Sequence, residues 1–226
     1  MAEVDAADPT KTEPVWRERA VSKSLRAARS RAEQRAQRYL DAAFALIDEN
    51  GSTEFTIQEV VERSKQSLRG FYDYFDGKDE LVLALFEETV REAGDDIRAV
   101  VDAQTEPLER LRAYAIRLHE WCDPAERPRK RGRHTRRPIS EFSMQLAVRH
   151  ADRVRAALSP LSHLLRELID DAVDAKLLHV EDTRRAAGLV QQTVMYSWFG
   201  NRLAQNPQLR LTAEETWEFC LRGLRA

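Results

Sequence analysis

Apolar residues along the chain recur in steps of three and four, the spacing of one helical face, rather than alternating as in a strand. Ala36, Leu40, Ala43, Phe44 and Ile47 form such a stripe in a helix predicted over 28–50, which the Asn50-Gly51 pair ends. Thr56-Ile-Gln-Glu59 is a capping box. The threonine oxygen accepts from the third helical amide and the glutamate reaches back, so a new helix starts at Thr56 and buries Ile57, Val60 and Val61. Ser67, a second cap, opens a short helix over 67–73, so two short helices meet across a tight turn. After a break at Gly77, a long helix over 79–103 runs through Leu81, Leu85, Phe86 and Val90. Further helices are predicted over 107–122, 138–149, 152–177, 182–204 and 212–224, the last opened by the capping box Thr212-Ala-Glu-Glu215.

Composition agrees with an all-α fold. The chain of 226 residues has eight glycines and eight prolines, too few for the many turns of a sheet-rich protein. With 42% hydrophobic and 33% charged residues it reads as globular, and no run approaches the roughly 18 apolar residues of a membrane span. Residues 1–14 are acidic and lack the apolar stretch of a secretory leader, so a cytoplasmic location without membrane contact is expected. Cys122 and Cys220, far apart and outside any CxxC or Cys/His cluster, are expected to be buried thiols and not a disulfide or zinc site.

Charge is distributed unevenly behind a net value of −2. Glu3, Asp5, Asp8 and Glu13 face Lys11 alone at the start, after which Arg17, Arg19, Lys23, Arg26, Arg29, Arg31, Arg35 and Arg38 are opposed only by Glu18 and Glu33. Residues 1–27 are read as a flexible arm, acidic then basic, leading into the helix. It suits a polyanion whose counterions it would release, or forms an ordinary solvated face. A second basic run over 127–137 contains Pro128 and Gly132 and reads as a solvated loop between helices, with contact to DNA or an acidic partner as the alternative. The chain divides near residues 75–78, into a domain over 28–78 and a second over 79–226.

The segment 56–75 has the layout of a helix-turn-helix, in which one helix crosses the DNA backbone and holds a second in the major groove. Ile57, Val60, Val61, Leu68 or Phe71, and Phe75 can build its small core, leaving Gln66, Ser67, Arg69, Tyr72 and Tyr74 as polar reach. Arginine binds guanine and glutamine binds adenine in bidentate fashion, while hydroxyls suit phosphates. A generic helical hairpin shares this spacing.

The residues themselves add more. Phe55-Thr-Ile-Gln-Glu-Val-Val-Glu-Arg-Ser64, then Ser67, and the string Phe71-Tyr-Asp-Tyr-Phe-Asp-Gly-Lys-Asp-Glu-Leu81 resemble the DNA-binding domain of the TetR family of bacterial regulators. The resemblance covers about residues 28–90 and implies a homodimeric repressor, a palindromic operator on double-stranded DNA and a small effector in the second domain. It implies phosphate contacts from Thr56, Tyr72, Tyr74 and Lys78, and major-groove contacts from Gln66, Ser67, Leu68, Arg69 and Gly70. One departure is Lys65-Gln66, where the family commonly has Gly-Val. Either Lys65 bears the strain of a positive φ or the turn differs. Gly70, where the family often has threonine, would let the backbone approach DNA. The arm, which extends beyond the family's usual start, is expected to add minor-groove or phosphate contacts.

In the second domain the resemblance places a ligand cavity, for which Phe86, Tyr114, Leu118, Trp121, Phe142 and Leu165 are the candidate lining residues. Their composition suits a small hydrophobic effector oriented by His119 or His163; filling the core is the competing reading. The stripes Ala187, Val190, Val194, Trp198 and Trp217, Leu221, Leu224 lie on the last two helices, for which the resemblance implies a four-helix dimer interface; burial within one subunit is the alternative. Two other classes compete: a ligand-blind architectural DNA binder, and a helical-bundle metal enzyme using His163, Glu167, Asp170 and Asp171. The second lacks the paired Glu-x-x-His motifs of di-metal bundles, and the chain has no phosphate loop, GxSxG or HExxH. No catalytic residue, metal or cofactor is expected.

Overall fold

The computed structural model describes residues 15–50, 53–123, 139–204 and 206–225, without the side chains of residues 15, 17, 18, 139–142 and 207. Among them regular structure is helical throughout: α1 (Val15–Asn50), α2 (Ile57–Ser64), α3 (Leu68–Tyr72), α4 (Lys78–Asp102), α5 (Pro107–Cys122), α6 (Ile139–Asp174), α7 (Thr183–Leu203) and α8 (Ala213–Arg225), with one 3-10 turn at Pro207–Leu209.

The first three helices close over a small aromatic core. Tyr39, Phe71 and Phe75 are buried, and the Tyr39 ring meets Phe71 and Phe75 edge-on at 5.6 and 6.3 Å between centroids, the arrangement aromatic quadrupoles favour. Ala43, Phe44, Phe55 and Val60 complete it, and the buried cluster continues into α4 through Leu81, Leu85 and Phe86. In the second domain α5 is central, packing on α4, α6, α7 and α8. Its Tyr114 is fully buried and donates to the carbonyl of Leu161 at 2.9 Å; burial raises the phenol above its ordinary pKa.

Several expectations change. The segment 15–27 is not a flexible arm but the first turns of α1, which begins at Val15 and not at residue 28; residues 1–14 lie outside the described residues. The helices predicted over 138–149 and 152–177 are joined as α6 across a kink at His150 (φ −130°, ψ 40°). Pro160 also lies inside α6, where it lacks the amide a helix interior requires. The end of α6 comes early because Lys176 turns left-handed at φ 60°, with the amides of Lys176 and Leu177 bonding back to Val173 and Ala172 at 2.8 and 2.9 Å.

The stripes read as a dimer face are spent inside the subunit: Ala187, Val190, Val194, Trp198, Trp217 and Leu224 are buried and Leu221 is half-buried. Exposed instead are Leu189, Tyr196, Phe199 and Leu203 on α7 and Phe219 on α8. Both cysteines are buried thiols outside any disulfide, and burial pushes Cys220 up to about 11. The basic run over 127–137 lies outside the described residues.

The α8 capping box forms as read: Glu215 N–H donates to Thr212 Oγ1 at 3.2 Å, and Thr212 N–H to Glu215 Oε2 at 2.9 Å. Thr212→Ala removes the reciprocal cap and is expected to cost about 1 kcal/mol, a fall in Tm of roughly 2–4 °C for a chain of this size, read by thermal unfolding.

Candidate nucleic-acid interface

Local sequence sets the two short helices and tertiary contact aims them. Thr56 caps α2, accepting from Glu59 N–H at 3.2 Å while its hydroxyl and amide both donate to Glu59 Oε2 at 2.7 Å. Those bonds hold the Glu59 carboxyl below its ordinary pKa. The Thr56 hydroxyl proton is therefore already engaged. At the other end of α2, Lys65 sits at φ 55°, ψ 34°. Of the two outcomes open from the sequence, the turn keeps a positive φ and lysine bears the strain, which costs a side-chain-bearing residue about 1–2 kcal/mol. Arg63 fixes α2 to α1 through a two-pronged bond to Glu49, both distances 2.6 Å.

The helix α3 has five residues, too few to hold its shape alone. Ser67 caps it by accepting from Gly70 N–H at 3.0 Å, and buried Phe71 anchors its inner side. From α1, the Tyr39 hydroxyl donates to the Ser67 carbonyl at 2.8 Å, and burial raises the phenol's pKa. A Cβ on Gly70 would stand 2.9 Å from Tyr39 Oη and 3.1 Å from Ser67 Oγ. The space a Cβ would take at Gly70 is thus filled from within the domain by Tyr39.

A polar notch of about 380 Å³ results, lined by Gln66, Ser67, Arg69, Gly70 and Tyr74 of the expected contacts together with Arg35, Arg38, Tyr39 and Asp73. Its three arginines face one carboxylate, so the notch is electropositive. Leu68 and Tyr72, on the same short helix, are 45% and 55% exposed and available to a ligand that covers α3. Thr56 and Lys78 stand apart at the starts of α2 and α4, where the Lys78 ammonium lies 4.9 Å over the Phe55 ring. Tyr39 was missed because the apolar stripe runs through its neighbours Ala36, Leu40 and Ala43. Arg35 and Arg38 read only as part of a basic run.

The second domain grips this unit through α6. Arg149 pairs with Asp79 at 2.8 Å, and Arg153 with Glu87 at 2.8 Å and Glu80 at 3.4 Å, all on the first turns of α4. Just beyond lies a groove of about 270 Å³ between α4 and α6, floored by Val90, Gly94, Pro160, Leu161 and Leu164. The expected lining residues Phe86, Tyr114, Leu118, Trp121 and Leu165 are buried core and none lines this groove; the side chain of Phe142 lies outside the described residues. Of the orienting histidines, His119 is buried and His163 exposed. Asp170 and Asp171 are engaged by Arg166 and Arg110 at 3.5 and 2.8 Å.

Residues 40–85 match the family model of bacterial regulatory proteins of the tetR family. The HTH-type transcriptional regulator BetI of Brucella anthropi is 33% identical over 79 residues, 35% of this chain and 41% of that protein, so the chain spans about two-fifths of the length of the curated relatives it matches. Among solved structures, the transcriptional regulator FadR from Bacillus subtilis in complex with stearoyl-CoA superposes with a TM-score of 0.62 at 16% identity, over 83% of this chain and 98% of that one. AibR in complex with isovaleryl coenzyme A and operator DNA superposes with a TM-score of 0.58 at 19% identity, over 84% and 98%. At these identities the structural likeness is one of fold.

The Tyr39–Gly70 contact makes opposite predictions in two backgrounds. Gly70→Ala should destabilise the chain by about 1–3 kcal/mol through overpacking. In a Tyr39→Phe background the obstructing oxygen is gone, and the same change should become neutral or stabilising by up to about 1 kcal/mol from helix propensity. A double-mutant cycle in denaturant reads the difference; additive effects would contradict the assigned contact.

Proposed function

Because the chain belongs to the TetR family of transcriptional regulators by its DNA-binding domain, we propose that it is a cytoplasmic homodimeric repressor that reads a palindromic operator and is released by a small hydrophobic effector. The observation that carries this reading is the electropositive notch at the start of α3, the end of a recognition helix that meets base edges. Gln66, Ser67, Leu68, Arg69 and Gly70 are the reading residues. Tyr72, Tyr74 and Lys78 hold phosphates, and Thr56, its hydroxyl proton engaged in the cap, contributes least.

The exposed apolar face of α7 and α8 supports the dimer. Leu189, Tyr196 and Leu203 repeat every seven residues with Phe199 beside them, and Phe219 extends the patch, an arrangement that two copies can bury across a two-fold axis. Such an axis would set two α3 helices against successive major grooves, about 34 Å apart.

The groove between α4 and α6 supports an effector, and the acyl-CoA ligands of FadR and AibR favour one with an apolar acyl part. Its wall residue Glu87 is also a partner of Arg153. An effector that prefers the wedged-apart arrangement loosens the grip of α6 on α4, moves the helix that follows α3, and lowers DNA affinity by its preference between the two states.

Selection of duplexes from a random pool tests the reading: a two-fold symmetric motif is expected, and unenriched DNA held only by salt-sensitive contacts would contradict it. On the selected site Arg69→Ala should lose about 1–3 kcal/mol and relax preference at one position, whereas Lys78→Ala should weaken all sequences alike and flatten the salt slope by about one unit. In sedimentation the unaltered chain should be a dimer at micromolar concentration, and Leu189→Glu with Phe199→Glu should yield monomer.

A further inference from the structure

We propose that the N-terminal half of α1 is a rigid helical strut that binds the DNA phosphate backbone beside the segment read by α3. The inference rests on the chain's being a DNA-binding regulator, and it concerns residues 15–39, which precede the family match at 40–85.

Position comes first. The bond from Tyr39 to the Ser67 carbonyl fixes α1 against the N-terminal end of α3, and the notch is lined by neighbouring Arg38 and, one turn further out, Arg35. From there α1 continues as unbroken helix to Val15, about 36 Å at 1.5 Å per residue. That length matches roughly ten base pairs. Every described side chain from Trp16 to Arg31 is exposed, so this half of the helix has no core of its own to serve.

Charge identifies the partner. Arg29 is paired with Glu33 at 2.8 Å. Arg19, Lys23, Arg26, Arg31, Arg35 and Arg38 form no ion pair among the described residues, although ion pairs are frequent on the other helices. They fall in two runs with steps of four and three, and the run Arg31, Arg35, Arg38 leads along one face into the notch that holds Arg69. Unpaired cations carried on a rigid rod that starts at a DNA-reading site suit a regular array of phosphates, each contact releasing a counterion. A second copy of the helix is the poorer occupant. Val21 and Leu25 are exposed on it, but pairing two such helices would bring their unpaired cations within a Debye length of one another. The strut therefore adds affinity and length of contact without adding base preference.

The test uses the full chain, the duplex it enriches from a random pool, and a variant carrying Arg19→Gln, Lys23→Gln, Arg26→Gln and Arg31→Gln. Glutamine matches arginine and lysine in helix propensity, and circular dichroism checks that α1 persists. Four lost phosphate contacts should flatten the plot of log affinity against log salt by about 3 to 4 units, so that between 50 and 200 mM salt the parent loses about 150-fold more affinity than the variant. The hydroxyl-radical footprint should shorten while the selected motif stays the same. A second variant, Arg35→Gln with Arg38→Gln, should flatten the slope by about 2 units. An unchanged slope and footprint in a variant that still binds overturns the strut. So does a shift in sedimentation with an unchanged slope, which would assign the helix to self-association. A parent chain that enriches no duplex would sink the regulator reading itself, an outcome separable from both.

Discussion

The five-residue helix α3 has no stability of its own, and its orientation rests on the contact between Tyr39, Ser67 and Gly70. The Ser67 carbonyl accepts twice, from the Phe71 amide at 3.0 Å inside the helix and from the Tyr39 hydroxyl at 2.8 Å across the domain. One oxygen thereby joins the first turn of α3 to the middle of α1. Glycine at residue 70 is the condition for it, because any side chain there would meet the tyrosine oxygen. The edge-on packing of Tyr39 on Phe71 and Phe75 holds the same ring from the other side. Whatever reaches α3 is therefore referred to α1, and movement of either changes the notch between them.

The helix α4 belongs to both halves of the molecule. Its first turn carries Lys78 over Phe55, and its buried face runs from Leu81 to Val101 through the second domain. Arg149 and Arg153 hold those first turns from α6 on either side of the His150 kink. These ion pairs are exposed, and each contributes little to stability. Their value is positional: they are directional enough to define one arrangement of α6 on α4.

Two surfaces remain that the core of one subunit does not explain. On α7 and α8 the apolar side chains that point inward are used fully, yet Leu189, Phe199, Leu203 and Phe219 still face solvent. On α1 the pattern is the reverse, a polar helix on which only Arg29 forms an ion pair among the described residues and six further cations form none. The two patches call for different partners because their physics differ: one gains by leaving water, and the other by exchanging small counterions for a fixed polyanion.

The features legible in the sequence were those set within a few residues. The capping boxes at Thr56 and Thr212 and the start of α5 at Pro107 stand where the sequence places them, because a cap is a bond between near neighbours and proline at a first turn acts through its own ring. The aromatic string from Phe71 to Leu81 likewise carried the regulator family. The first turns of α1 were missed for a related reason: residues such as Ala, Arg, Leu, Lys and Glu are strong helix formers, but a helix with nothing to bury shows no stripe. What only tertiary structure decided is which of several equivalent faces is covered. Ala187, Val190, Val194 and Trp198 make as good a dimer seam on paper as Leu189, Tyr196, Phe199 and Leu203; the packing of α5 and α6 against α7 takes the first set and leaves the second. The same holds for Tyr39, Gly70 and Arg35. Their neighbours lie across the fold and not along the chain, and distance in space between residues far apart in sequence is the one quantity that periodicity cannot encode.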